Sequence, residues 1–166
     1  MVRAGLGAIL IDMDRGTKST ASEGRYLLVR AGDSRCAIPA RGVRRVVRNL
    51  PCHPFPGGKP HFVGFSQFGG EPLAVIDLHT LITGEEARIH HGATVILGHG
   101  SRGGRTVIGL AVDEAFRVVV FADQGTKTRS GGVVEGTRTL DGDSVTVLET
   151  SLLLDDEPTG TEAPLG

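Results

Sequence analysis

The sequence has no tryptophan, one tyrosine and six phenylalanines, so its core must be built mainly from aliphatic side chains. That scarcity also leaves few ring faces on which single-stranded nucleic acid could stack. There are two cysteines, Cys36 and Cys52, and no CxxC spacing. They could pair once, but two ordinary thiols in a reducing compartment are the favoured reading, and a disulfide framework is excluded. Excess charge of one sign is also missing: 18 Lys and Arg face 19 Asp and Glu, for a formal net charge of −1. Without a basic field, attraction of the whole chain to nucleic acid or an anionic membrane is not indicated. Long apolar runs are absent as well. The stretch from Leu6 to Ile11 is cut by Asp12. A secretion signal needs a longer apolar region, and a membrane helix needs about 20 residues. A cytoplasmic protein without membrane insertion is the expectation.

Glycine, by contrast, is plentiful, with 25 in 166 residues. Glycines suit tight turns between strands better than helix interiors. Arg15 to Gly24 is small and polar and reads as a linker, so residues 1–24 form an N-terminal extension. From Arg25 the pattern turns β-rich. Tyr26-Leu27-Leu28-Val29-Arg30, the turn at Gly32-Asp33, and Arg35-Cys36-Ala37-Ile38 predict a hairpin. Val43, Val46 and Val47 stand at i, i+3 and i+4, which suits a helical turn starting at Ala40 or, equally, a strand. Leu50 to Pro60 holds four prolines and predicts a loop.

Phe62 to Phe68 alternates, Gly69-Gly70 is a turn, and Pro72 to Ile76 is the next strand. Asp77 is placed to cap a short helical turn that ends at Gly84. Strands are predicted over Thr94–Leu97, Thr106–Val112, Arg117–Phe121, Val133–Val134 and Ser144–Leu148, and a helical piece over Ser151–Leu154. Asp155 to Gly166 is acidic and contains proline, the composition of a disordered tail. Short strands at close spacing with glycine-rich turns predict an all-β domain of small barrels over residues 25–154. No sequence repeat stands out.

Catalytic chemistry finds little support. His53, His61, His79, His90, His91 and His99 show no zinc spacing. Cys52 and His53 are sequence neighbours, which rarely face each other as a nucleophile and its base do. Gly98-His99-Gly100-Ser101-Arg102-Gly103 has phosphate-loop glycine spacing but sits between two strands, where a hairpin turn explains it. No cofactor and no metal are expected. Arg41, Arg44, Arg45 and Arg48 form a basic cluster around Val43 and Val46. It is either a solvated face or an interface in which exposed valines form the centre and arginines the rim. After Arg138 the chain carries seven acids and no Lys, Arg or His.

The order of these segments resembles the CheW-like domain of bacterial chemosensory adaptors. The resemblance rests on Tyr26-Leu27-Leu28-Val29, Cys36-Ala37-Ile38-Pro39, Val43-Arg44-Arg45-Val46-Val47, Pro54-Phe55-Pro56-Gly57 and Phe62-Val63-Gly64-Phe65. It rests also on Gly70-Glu71-Pro72-Leu73-Ala74-Val75-Ile76-Asp77-Leu78 and on Val107-Ile108-Gly109-Leu110-Ala111-Val112-Asp113-Glu114. It implies two intertwined five-stranded SH3-like barrels with a core between them. It further implies a non-catalytic scaffold that binds a CheA-type histidine kinase and the cytoplasmic tips of chemoreceptors.

By position, the resemblance puts Val43, Arg45 and Val46 in the family's receptor-contact segment, with Arg45 and Arg48 expected at the rim of the interface. Gln67, Phe68, Gly69 and Gly70 fall where the family commonly has Asn-Leu-Arg-Gly. Val43 and Val46 are then expected to form a buried interface centre, so Val46→Asp should lower partner binding with the fold retained. Two residues depart from the family pattern. Arg45 stands where an acid is usual, and Gly69 where the motif has arginine. A reversed charge can reject one partner and select another. The rival readings are a divergent CheW-like adaptor of another chemosensory system, such as one for surface motility, and a small hydrolase or metal protein.

Overall fold

The computed structural model describes residues 24–55, 57, 59–85, 92–101, 104–122, 125–127 and 132–155. The expected N-terminal extension up to residue 23, the acidic tail beyond Asp155, and His90 and His91 lie outside the described residues. The chain forms twelve strands, β1 (Arg25–Ala31), β2 (Ser34–Pro39), β3 (Val43–Arg48), β4 (His53–Pro54), β5 (Phe62–Phe68), β6 (Glu71–Asp77), β7 (Ala93–Ser101), β8 (Gly104–Val112), β9 (Glu114–Val120), β10 (Thr126–Lys127), β11 (Val134–Leu140) and β12 (Asp143–Leu148). One 3₁₀ turn, η1 (Ala40–Gly42), and two short helices, α1 (Leu78–Thr83) and α2 (Ser151–Asp155), accompany these strands among the described residues. No helix among the described residues is long and apolar enough to cross a membrane.

The strands make two mixed sheets, ordered β10-β11-β12-β2-β1-β9 and β3-β7-β8-β6-β5-β4. Each has five strands of six or more residues and one of only two. The fold is thus all-β as expected. The two-residue strands β4 and β10 were not foreseen: His53 pairs with Phe65 inside the proline-rich segment read as a loop, and Thr126 pairs with Thr137. Gly64 makes the first pairing possible, because a Cβ there would overlap the His53 carbonyl oxygen.

The two sheets exchange hairpins. β1 and β2 come first among the described strands but join β9–β12, while β7 and β8 join β3–β6. In each sheet the exchanged hairpin attaches through one parallel pairing, β12 with β2 and β8 with β6. Each half of the chain therefore repeats one plan: an exported hairpin, a strand, a two-residue strand, a second hairpin and a short helix. Bulges recur at matching places, at Phe62/Gly64 in β5 and at Val134/Gly136 in β11. The sequence showed no repeat because turn positions and apolar alternation recur without recurring residue identities.

Alternation explains why both exported hairpins read as nearly continuous apolar runs. Leu27, Val29, Cys36 and Ile38 face Val95, Leu97, Leu110 and Val112 in a core shared by both sheets. Leu28 and Ala37 point the other way, into a second cluster with Val119, Phe121, Val145 and Val147. Ile96 and Ala111 likewise join Leu73 and Val75 in a third. Neighbouring residues on a strand project to opposite faces, so a strand buried on both faces needs apolar side chains throughout. The shared core thus lies between the sheets, and each sheet keeps a smaller cluster on its far face.

Local chemistry fixes the ends of these elements. Phe68 pairs with Glu71, and Leu140 with Asp143, each across a two-residue turn. Gly69 and Gly70 have φ of 64° and 83°, and Asp141 and Gly142 have 52° and 86°. Two successive positive φ values are the requirement of the type I′ hairpin turn. The Asp77 carboxylate accepts from Thr80 N at 3.0 Å and from Thr80 Oγ1 at 2.6 Å, which caps α1. Gly84, in the left-handed region, closes it.

Candidate protein-interaction groove

β3 resolves the ambiguity at Val43–Val47 with both answers in turn. The chain makes the 3₁₀ turn η1 and then enters a strand that carries a bulge. Val43 pairs with Leu97, and Arg45 pairs with Ile96, so Arg44 is an extra residue. An extra residue reverses the phase of alternation along a strand. Val43 and Val46, three apart, therefore fall on the same face, which is what the helix-like spacing encodes. That face is the shared core, where Val43 is 1% and Val46 7% exposed. The expectation that these valines form an exposed interface centre is corrected: the bulge turns both inward.

Arg45 projects to the opposite face, with Val47, toward the cluster of Leu73 and Val75. There it meets the β5–β6 hairpin. Its guanidinium carbon lies 5.5 Å from the centroid of the Phe68 ring. Such a stack holds a cation by the negative face of the ring. Arg45, Phe68 and Gly69 line one groove of about 390 Å³, together with Arg44, Glu71 and Leu73. It lies between β3, an edge strand of its sheet, and the tip of the hairpin. Leu73, 1% exposed, belongs to the apolar cluster under it.

Three of the eight site residues named from sequence thus come together: Arg45, Phe68 and Gly69. Arg48, Gln67 and Gly70 are exposed on the same strand and hairpin but do not line the groove. Val43 and Val46 lie beneath the sheet. Sequence reasoning missed Glu71 and Leu73. The β5–β6 pairing, which brings Glu71 beside Phe68, held that signal. It also missed an aromatic cluster on the far edge of the same sheet. Phe55, Phe62 and Phe65 pack edge to face with centroids 5.1–5.7 Å apart, and Phe55 and Phe65 are 51% and 44% exposed.

The cysteines do not meet as a pair and remain free thiols. Burial pushes the Cys36 thiol up to about 12 and raises that of half-buried Cys52 as well. Burial, and then the nearby charge of Lys59, lower the pKa of His61. Among the described residues, no three His, Cys, Asp or Glu side chains gather as metal ligands.

Comparison with known proteins now meets this geometry. The crystal structure of the scaffolding protein TtCheW from Thermoanaerobacter tengcongensis superimposes with a TM-score of 0.60, at 17% sequence identity, covering 76% of this chain and 88% of that one. At that identity the likeness speaks for the fold. A comparison with curated protein sequences finds no match. The model of the CheW-like domain matches residues 25–158, all of the two-sheet unit and most of the chain, and the protein therefore belongs to the CheW-like domain family.

Proposed function

We propose that this protein is a non-catalytic scaffold of bacterial chemosensory signalling, which couples the cytoplasmic tips of chemoreceptors to a CheA-type histidine kinase. Membership of the CheW-like family supports the scaffold reading. The observation that carries it to particular residues is the meeting of Arg45, Phe68 and Gly69 in one groove. Two segments that the family resemblance marks as contact regions, well separated in sequence, share that surface. Both are held by paired strands, so the surface is presented with little conformational entropy to lose on binding. A protein that works by such contacts, with no membrane-crossing helix among its described residues, fits the cytoplasm.

The test is direct binding. The purified chain is titrated separately with the regulatory domain of a CheA-type kinase and with a receptor cytoplasmic tip, both from the organism that encodes it. The proposal expects saturable one-to-one binding to each. A second reading, a divergent adaptor that has lost one of the two usual contacts, draws on the reversed charge at Arg45 and the missing side chain at Gly69. Binding to only one of the two proteins would favour it.

A further inference from the structure

We propose that the groove between β3 and the β5–β6 hairpin takes up a carboxylate side chain of a protein partner, with Arg45 as the residue that grips it. This rests on the scaffold reading above and adds the chemistry of the contact.

Four observations carry it. Arg45 is exposed and its guanidinium lies over Phe68. Among the described residues no carboxylate pairs with it. A stacked guanidinium keeps the N–H groups at its edge free, in a fork that matches both oxygens of a carboxylate. Gly69 adds no side chain to the wall, and a Cβ built there meets nothing within 4 Å, so the space beside Arg45 is open. Gly69 takes the first position of the turn at a φ of 64°, and as glycine it leaves the wall bare.

The charges favour an acid over a base. Arg45 on β3 and Glu71 on the hairpin both line the groove. An entering carboxylate is drawn to Arg45 and repelled by Glu71. Apolar surface is present as well: Leu73 and Val107 also line the groove. These offer a free anion nothing, but they accept the methylene stem of an aspartate or glutamate, or an apolar neighbour on the same chain. A groove that joins a cation to an apolar floor therefore fits a protein segment better than an inorganic ion. The partner is the one whose contact surface is acidic at this point.

The experiment measures dissociation constants by calorimetry for the wild-type chain, Arg45→Glu and Arg45→Lys against the kinase regulatory domain and the receptor tip. Arg45 is exposed, and thermal melts of the variants check that the fold is kept. For one partner, Arg45→Glu is expected to weaken binding by about tenfold or more, and Arg45→Lys by less. One Glu→Lys or Asp→Lys change in that partner is expected to weaken wild-type binding and restore binding to Arg45→Glu. Unchanged binding by both variants overturns the inference alone and leaves the scaffold reading standing. So does a defect that no carboxylate reversal rescues. A wild-type chain that binds neither protein overturns both.

Discussion

The imidazole of His79 on α1 lies against Gly32 in the β1–β2 turn, so that a Cβ built on Gly32 would stand 2.6 Å from His79 Nδ1. The contact joins the two sheets, because α1 follows β6 while the turn belongs to the exported hairpin of the other sheet. Gly32 N donates to the Asp113 carboxylate at 2.6 Å, just past β8, which ties the same turn to the opposite half. Among the described residues His79 Nδ1 has no hydrogen-bond partner, while Nε2 is 3.2 Å from Glu85 Oε1. The tautomer with its proton on Nε2 satisfies that geometry at least cost.

Gly32→Ala is expected to destabilise the protein twice over. The left-handed φ of 66° costs a Cβ-bearing residue about 1–2 kcal/mol, and the clash with His79 adds to it. In chemical denaturation Gly32→Ala should therefore lose more than a loop substitution does. In the double variant Gly32→Ala with His79→Ala, the cost of adding the Gly32 methyl should shrink to the backbone part alone. Equal costs in both backgrounds would show that His79 does not press on the turn.

Cys36 offers a second readout. Its thiol titrates near 12 in the folded protein because burial disfavours the thiolate, against 9.0 for an unburied thiol. The thiolate is the reactive form. A disulfide reagent at pH 8 should modify Cys52 slowly and Cys36 only on unfolding. The folded state holds the Cys36 proton more tightly, so its share of stability is complete below pH 9 and falls away as pH rises from 9 toward 12. Rapid modification of both cysteines without denaturant would contradict the burial of Cys36.

Val46→Asp and Arg45→Glu separate core from surface on one strand. Val46 is in the shared core, so a carboxylate there is expected to cost ~3 kcal/mol or more, enough to unfold a marginal domain. Arg45 is exposed, and its replacement should change stability by only ~0.5 kcal/mol. Thermal melts of the two variants decide this. A folded Val46→Asp protein would mean that the bulge at Arg44 does not turn Val46 inward.

Those neighbours show what the sequence could and could not reveal. Where a residue type answers a local backbone demand, the reading holds. Gly69-Gly70 and Asp141-Gly142 make turns, Asp77 caps α1 and Gly84 ends it. Alternation marked the strand at Phe62–Phe68, and the apolar run over Thr106–Val112 falls within β8. The failure at Val43 and Val46 is also physical. A single extra residue in β3 changes which face every later side chain takes, and no side chain marks where a bulge falls. The hairpin exchange is still less legible. Which sheet a hairpin joins depends on pairings between distant strands, such as Cys36 with Thr146 and Ala74 with Ile108. The groove follows from both. Arg45 and Gly69 stand as separate departures from the family pattern in the sequence, and only the tertiary fold brings them to the lining of one groove.

The central claim is that this two-sheet domain holds two other proteins together. The most direct measurement is light scattering on a gel-filtration column, with the chain mixed with a CheA-type kinase regulatory domain and a receptor cytoplasmic tip. The account predicts a species containing all three, lost when the chain is left out. Elution of the chain alone, apart from both proteins at concentrations of tens of micromolar, a range that captures even modest affinities, would contradict it.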